Sequence, residues 1–399
     1  MNKELSNFAA RLRGFIPSLV AAEVTRLHST VPDMTNNEPP HVGSYTDNFS
    51  ALALELFALQ FTHNSAYRKI CEARGRTPQT VEHWTQIPAV PTAAFKELEM
   101  TSLEAKERTA VFHSSGTTEQ KPSRHFHNAE SLAVYEVSLW NWFEQNFSAN
   151  SEFRIQNSKL LFLTPPPGLV PHSSLVHMFE FIRQKLDQSE SAFVGRNDTS
   201  GAWALNFDAA LAALNSSNAT RHPSLVLGTA FSFVHLLDYM AENNLRFQLP
   251  ENLRVMETGG YKNRSRSLPK AELHALIKER LGVPPENIIC EYGMSELSSQ
   301  AYDGVRSAEC GVRSFHFPPW VRVQIISAET GCEVGEGETG LIRIFDLANV
   351  YSVAAIQTED LGIRRGDGFE LVGRTQLAEP RGCSLMTHSA LRTPHSALV

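Results

Sequence analysis

Residues 224–244 read SLVLGTAFSFVHLLDYMAENN, a short apolar run followed directly by a segment whose apolar residues recur at helical spacing. The same succession occurs elsewhere in the chain, at 111–113 with 129–147, at 160–165 with 174–186, and at 253–260 with 268–282. A strand followed by a helix, repeated along a chain, predicts an α/β sheet with crossover helices.

Loops rich in glycine and hydroxyl residues follow these predicted strands. They are HSSGTT at 113–118, TPPPG at 164–168, LGTA at 227–230 and ETGG at 257–260. Ligands of α/β sheets bind beyond the carboxyl ends of the strands, so we expect these loops to surround a binding site.

The loop within VFHSSGTTEQKPSRH, residues 111–125, has the composition of an anion-binding loop. Gly116 would let the backbone approach an anion closely, with Lys121 and Arg124 nearby for charge. The hydroxyl donors are Ser114, Ser115, Thr117 and Thr118. Because such clusters also form ordinary turns, the loop alone leaves both interpretations open.

Of the 399 residues, 42 % are hydrophobic and 20 % are charged, which is the composition of a globular protein. Its net charge of -7 disfavours general nucleic-acid binding and binding to an anionic membrane surface. Arg11 and Arg13 interrupt the N-terminal apolar residues, and no window of eighteen apolar residues follows, which predicts a cytoplasmic protein without a membrane span.

The five cysteines, Cys71, Cys290, Cys310, Cys332 and Cys383, are scattered and contain no CxxC pair. Their spacing therefore indicates neither a disulfide framework nor a zinc site. The first four lie in helix, strand or turn contexts and are interpreted as structural.

Changes in the pattern of apolar residues and turn residues divide the chain into four segments. We expect an N-terminal helical region at 1–85, an α/β core at 86–305, a β-rich lobe at 306–376 and a short tail at 377–399.

Motifs far apart in the chain together resemble the adenylate-forming superfamily of acyl ligases. They are SSGTT at 114–118, RVMETGGYKNRSR at 254–266, IICEYGMSELSSQAYD at 288–303, QTEDLG at 357–362 and LVGR at 371–374. The resemblance implies that superfamily's N-terminal domain fold, with helix-covered sheets and a small β-rich lobe, and the use of ATP and Mg²⁺.

Site residues carried over from the resemblance start with the loop at 114–118, which would hold the ATP phosphates. Gly259, Gly260 and Gly293 would admit adenine close to the backbone, and Tyr292 would stack on the base. Met294 lies in the same nucleotide motif, Ser295 would contact the α-phosphate, and Glu296 would bind Mg²⁺ and serve catalysis. Asp360 would accept from the ribose hydroxyls, and Arg374 would contact ribose and phosphate. The chain departs from the pattern at Glu119, at Lys121-Pro122 and at Glu359.

Only 25 residues follow Arg374, fewer than the roughly 40 that a free-standing domain needs, which predicts that the superfamily's C-terminal lid is essentially missing. IPAVPTAAFK at 87–96 and LAEPRGCSLM at 377–386 resemble the LuxE-type acyl-protein synthetases. That resemblance implies activation of a fatty acid, an acyl thioester on Cys383, and transfer to a partner protein such as a fatty-acyl reductase or a carrier. Arg381 would favour the Cys383 thiolate.

Two other functions fit the same residues. One is an aryl- or acyl-CoA ligase, which the missing lid disfavours, and the other is a non-catalytic nucleotide-binding subunit, which the altered motifs favour. For His125 and His127, a surface strand is preferred to a metal pair. His172 and His177 are expected to support an acyl pocket, and some phenylalanines at 179–181 and 231–233 to line it.

Overall fold

Two main β-sheets and the helices that cover them carry the architecture. The computed structural model describes residues 2–28, 43–114, 121–148, 155, 158–186, 191–198, 203–220, 224–250, 252–259, 266, 268–303 and 313–374.

The helices in these ranges are α1 (Lys3–His28), α2 (Gly43–His63), α3 (Ser65–Ala73), α4 (Ala94–Glu97), α5 (Ala129–Ser148), α6 (Ser174–Lys185), α7 (Phe207–Thr220), α8 (Ala230–Glu242) and α9 (Lys270–Leu281). The strands are β1 (Val90–Pro91), β2 (Ala110–His113), β3 (Arg124–His127), β4 (Lys159–Phe162), β5 (Ala192–Phe193), β6 (Gly195–Asn197), β7 (Trp203–Leu205), β8 (Ser224–Thr229), β9 (Arg254–Thr258), β10 (Ile288–Tyr292), β11 (Ala301–Tyr302), β12 (Val321–Ile326), β13 (Thr339–Asp346), β14 (Ala355–Arg365) and β15 (Gly368–Arg374).

The six-stranded sheet has the order β11-β10-β9-β8-β4-β5, and all its pairs except β10 with β11 are parallel. Every residue of β9 and β10 is buried, as expected for parallel strands covered on both faces. At the end of β8, Thr229 caps α8 by accepting a hydrogen bond from Ser232 N at 3.2 Å. The predicted alternation of strands and crossover helices is thus confirmed for this sheet.

The five-stranded sheet is built from the later part of the chain and one short early strand. β12, β13, β14 and β15 pair antiparallel in sequence order, and β1 adds a parallel pair to β14. The prediction of strands after residue 305 is confirmed, but a tight turn joins only β14 to β15, and β14 is eleven residues long. The four-segment division of the chain stays a prediction.

The prediction that 111–113 belongs to the main sheet is wrong. β2 instead pairs antiparallel with β3 in a separate two-stranded sheet, with Val111 opposite Phe126. β3 follows β2 in the sequence, precedes α5 and runs antiparallel to β2. The alternating pattern of RHFH at 124–127 was the local signal for β3.

Two buried apolar clusters fill the molecule. One lies between the six-stranded sheet and the helices α7, α8 and α9, and includes Val226, Val255 and Ile277. The larger cluster joins the other face of that sheet to the N-terminal helices and the five-stranded sheet. No helix in the described ranges is both long enough and apolar enough to span a membrane.

The N-terminal helix α2 is fastened to the loop between β13 and β14. Gln60 Nε2 donates to Asn349 O at 2.7 Å, and its Oε1 accepts from Ala354 N at 3.0 Å. Asn64 caps α3 by accepting from Tyr67 N at 3.0 Å. These buried side chains tie the predicted helical region to the rest of the fold.

Candidate active site

Three residues predicted to bind the nucleotide lie together where the two main sheets adjoin, although their motifs are far apart in the sequence. Tyr292, at the end of β10, donates from its hydroxyl to Asp360 Oδ2 at 2.8 Å. Arg374, the last residue of β15, donates from Nε to Asp360 Oδ1 at 3.2 Å. The Asp360 carboxylate thus receives a donor from each sheet, which is the kind of acceptor a ribose diol requires.

Tyr292 is a buried member of an aromatic cluster. Its ring centroid lies 6.0 Å from that of Phe315, 6.2 Å from Phe317 and 5.2 Å from Phe369. Burial, and then the neighbouring Asp360 charge, raise the pKa of Tyr292 well above its ordinary value, so the hydroxyl remains a donor. The packing fixes this ring at the edge of the site; its stacking on adenine stays a prediction.

The base of the predicted phosphate loop is connected to residues 295–297, the SEL segment that follows β10. Ser123 N donates to Ser114 Oγ at 3.0 Å, and Ser123 Oγ lies 3.4 Å from Ser295 Oγ. Ser295 Oγ in turn donates to Glu296 Oε2 at 3.0 Å. Ser114, Ser295 and Glu296 therefore lie in one chain of hydrogen bonds. The remaining predicted loop residues, Ser115, Gly116, Thr117 and Thr118, lie outside the described residues.

His125 holds the backbone of that segment in place. Its Nδ1 lies 2.9 Å from Ser295 O, and because a carbonyl oxygen only accepts, Nδ1 carries the proton. Burial lowers the pKa of His125 from 6.5 to about 4, so the ring is neutral at physiological pH. His125 was not among the predicted site residues.

The expectation of a surface strand at 125–127 is wrong, because His125 and His127 are only 3 % and 1 % exposed. Their rings lie 4.2 Å apart on one face of β3, and His127 Nδ1 lies 3.1 Å from Ser131 Oγ. Their burial against α5 and the SEL segment could not be read from a four-residue pattern.

Glu296 is buried, and its backbone carbonyl accepts a hydrogen bond from the loop between β13 and β14. Asn349 Nδ2 donates to Glu296 O at 2.9 Å, and Asn349 is itself fastened to Gln60 of α2. Within the described part of the chain, Ser295 Oγ is the one hydrogen-bond donor to the carboxylate. A fixed carboxylate with an oxygen left for a hard cation fits Mg²⁺, which uses one or two carboxylates together with substrate phosphates.

Asp346 organises the residues after Glu296. It is buried and accepts from Ser298 N at 3.0 Å, Ser299 Oγ at 2.8 Å and Ala348 N at 2.9 Å. Burial raises the pKa of Asp346 to about 6. No local motif indicates this role, because Asp346 and Ser298 are separated by 48 residues.

The glycines of the two strand ends have different roles. Gly259 has φ +72°, which glycine adopts readily. At Gly293 a Cβ would lie 2.2 Å from Glu291 Oε1, so the missing side chain makes room for that carboxyl group. Burial raises the pKa of Glu291 to about 7, and Thr258 Oγ1 donates to the Glu291 carboxylate.

Of the other predicted site residues, Met294 is half-buried against the larger cluster. Gly260 and Cys383 lie outside the described residues.

A small apolar recess opens at the carboxyl ends of β4 and β8. It is lined by Leu163, Pro165, Trp203, Ala204, Leu205, Phe231, Ser232 and His235. Of the phenylalanines expected to line an acyl site, Phe231 does line this recess. His172 and His177 lie elsewhere, with His172 Nδ1 3.2 Å from Val111 O and His177 Nε2 3.1 Å from Glu136 Oε1.

The parallel sheet and the β-rich lobe together form the N-terminal domain fold of adenylate-forming enzymes. The fold is similar to that of 2-hydroxyisobutyryl-CoA ligase, crystallised in the postadenylation state in complex with 2-HIB-AMP. The TM-score is 0.60 at 15 % identity, over 85 % of this chain and 72 % of that chain. The chain belongs to the family described as acyl-protein synthetase, LuxE, which matches residues 175–392. It is therefore a ligase of the acyl-protein synthetase kind.

Two curated relatives match most of the chain. One is the long-chain-fatty-acid–luciferin-component ligase of Aliivibrio fischeri, 24 % identical over 356 residues, covering 84 % of this chain and 86 % of the relative. The ligase of the same name from Vibrio harveyi is 24 % identical over 352 residues, covering 86 % and 87 %.

Proposed function

We propose that this protein activates a fatty acid with ATP in the presence of Mg²⁺, takes the acyl group onto Cys383, and passes it to a partner protein. The observation that carries the proposal is the convergence of Tyr292, Asp360 and Arg374 within hydrogen-bonding distance in an adenylate-forming fold. The names of the two bacterial relatives support a long-chain fatty acid as substrate and a protein component as acceptor.

In the first half-reaction, a carboxylate oxygen attacks the α-phosphorus of ATP, and pyrophosphate leaves. Asp360 would hold the ribose, and the Ser295 hydroxyl, on the segment that His125 fixes, would turn from Glu296 to donate to the α-phosphate. Glu296 would hold Mg²⁺, which neutralises the charge that develops on pyrophosphate. The buried network around Asn349 and Asp346 keeps these groups in place before substrate arrives, which reduces the reorganisation that the reaction requires.

In the second half-reaction, the Cys383 thiolate attacks the acyl carbonyl carbon. A carbon–sulfur bond forms, the bond from the carbonyl carbon to the phosphate oxygen breaks, and AMP leaves with the electron pair. The family match extends to residue 392 and so includes Cys383. Arg381 and Gly382 precede it in the sequence, and a guanidinium so close in the chain would favour the thiolate. We propose a fatty-acyl reductase or a carrier as the protein that then receives the acyl group.

The decisive experiment compares wild type with Cys383→Ser, using labelled fatty acid, ATP and Mg²⁺. The variant should retain acyl-AMP formation, measured by pyrophosphate exchange, and should lose the hydroxylamine-sensitive acyl-enzyme, because an alcohol is scarcely ionised near neutral pH. Cys332→Ser is the matched control, since Cys332 is an exposed cysteine in a turn of the β-rich lobe. A thioester label that persists in Cys383→Ser would contradict the proposed acceptor. Acyl-coenzyme A formation by a wild type that never becomes labelled would establish the CoA-ligase alternative.

A further inference from the structure

Three side chains of metal-ligating types lie together beneath α9, outside the nucleotide site. They are Glu257 near the end of β9, Cys290 in β10 and His274 in α9. Sequence spacing did not reveal them, because they lie in three separate elements and follow no short motif.

The fold brings them together by register. Cys290 lies opposite Glu257 in the parallel pair of β10 and β9, so both side chains leave the same face of the sheet. α9 covers that face with Leu273, Ile277 and Leu281, and His274 belongs to the same buried row of the helix. Glu257, His274 and Cys290 thus form a polar contact between α9 and the sheet, where the rest of this interface is apolar.

The distances between the ligand atoms match a shared metal ion. Cys290 Sγ lies 3.6 Å from His274 Nε2 and 2.8 Å from Glu257 Oε1, and the latter two atoms are 3.5 Å apart. Bond lengths of about 2.0–2.3 Å in tetrahedral geometry place neighbouring zinc ligands about 3.3–3.7 Å apart. Two of the pairs meet that separation already, and the third requires a shift of less than about 1 Å.

The basic side chains nearest the cluster form ion pairs with Asp303 rather than with Glu257. Lys270 and Arg313 both form ion pairs with Asp303, and Lys270 also hydrogen-bonds to Cys290, so a metal ion on Cys290 would displace that contact. In the described ranges, no lysine or arginine forms an ion pair with Glu257, although its carboxylate is buried. A buried carboxylate is costly without a compensating charge, and a divalent cation supplies one.

We propose that Glu257, His274 and Cys290 form a zinc site that fastens α9 to the ends of β9 and β10. Thiolate, imidazole and carboxylate are the ligand types of tetrahedral zinc, and a fourth position remains for water. Binding releases the Cys290 thiol proton to solvent and leaves a thiolate–zinc bond. Glu257 lies two residues before Gly259, and Cys290 lies two residues before Tyr292. The metal would therefore stiffen the strand ends next to the predicted nucleotide site.

The test uses full-length protein without an affinity tag that binds metal. Zinc is removed with a chelator, and the protein is then titrated with Zn²⁺ and, in parallel, with Co²⁺. Wild type should take up one zinc per chain, and Co²⁺ should produce a thiolate-to-cobalt charge-transfer absorption. Cys290→Ser should lose that absorption, whereas Cys71→Ser, which removes another buried cysteine, should retain it.

A second variant guards against misfolding of Cys290→Ser. Glu257→Gln keeps the size and hydrogen-bonding capacity of the side chain and should weaken zinc binding more than about tenfold. Wild type without stoichiometric zinc or the cobalt absorption, or an absorption unchanged in Cys290→Ser, would overturn the site. Equal zinc affinity of Glu257→Gln and wild type would also overturn it. These readouts do not depend on catalysis, so they are independent of the proposed function.

Discussion

Acid should destabilise this protein through His125, and the structure gives the size of the effect. The folded state lowers the pKa of His125 from 6.5 to about 4 because the ring is buried. Between these values the unfolded chain binds a proton that the folded protein does not, so unfolding is favoured as the pH falls. The stabilisation is complete above pH 6.5 and is lost progressively down to pH 4.

The magnitude follows from the shift. One pKa unit corresponds to about 1.4 kcal/mol, so a shift from 6.5 to about 4 is worth about 3 kcal/mol in full and about 2 kcal/mol at pH 5. His125→Asn removes the titration but keeps an amide donor close to the position of Nδ1, where Ser295 O accepts.

The assay is urea unfolding of wild type and His125→Asn at pH 7.5 and pH 5. Wild type should lose about 2 kcal/mol more of its free energy of unfolding than the variant on acidification. His127 is also buried with a lowered pKa, and because burial is the main cause and His125 a smaller one, the substitution leaves most of the His127 contribution in both proteins. His83→Asn, the same change at an exposed histidine, should follow wild type. Identical pH dependence of wild type and His125→Asn would refute the reasoning.

Three further substitutions examine the nucleotide site and its packing. Glu296→Ala should abolish Mg²⁺-dependent pyrophosphate exchange while circular dichroism stays unchanged, and exchange within a few fold of wild type would remove Glu296 from the metal role. Asp360→Asn should raise the Michaelis constant for ATP about 10- to 100-fold, because hydrogen bonds to a charged acceptor are worth about 1.5–3 kcal/mol; an unaltered constant would exclude the ribose role. Gly293→Ala should lower the free energy of unfolding by about 1–3 kcal/mol, since its Cβ would meet Glu291 Oε1 at 2.2 Å. A thermal midpoint equal to that of wild type would show that the carboxyl group moves aside freely.

The sequence was informative where a role is encoded by a local motif. The resemblance of EYGMSE, TEDLG and LVGR to motifs of the adenylate-forming superfamily implied that Tyr292, Asp360 and Arg374 serve one site, and the structure brings them into contact. Apolar runs that alternate with amphipathic segments likewise predicted the parallel sheet. The runs are continuous because strands of such a sheet are buried on both faces.

The supporting groups escaped prediction because their partners are distant in sequence. His125 contacts Ser295 across 170 residues, and Asn349 reaches Glu296 across 53. A histidine in a four-residue strand or an asparagine in a loop has no local signature for such a role. Only the tertiary arrangement shows that these polar side chains are buried and hold the backbone of the SEL segment.

The fastening of α2 to the loop before β14 bears on how the protein can be shortened. Gln60 hydrogen-bonds to Asn349, and Asn349 hydrogen-bonds to the backbone of Glu296. The side chains of Gln60 and Asn349 thus connect α2 to the proposed metal ligand. A truncated version that begins after residue 64 would expose this loop and leave Asn349 O and Ala354 N without their partner. Any search for a minimal active fragment should therefore retain α2, even though the motifs that mark the active site begin some fifty residues later.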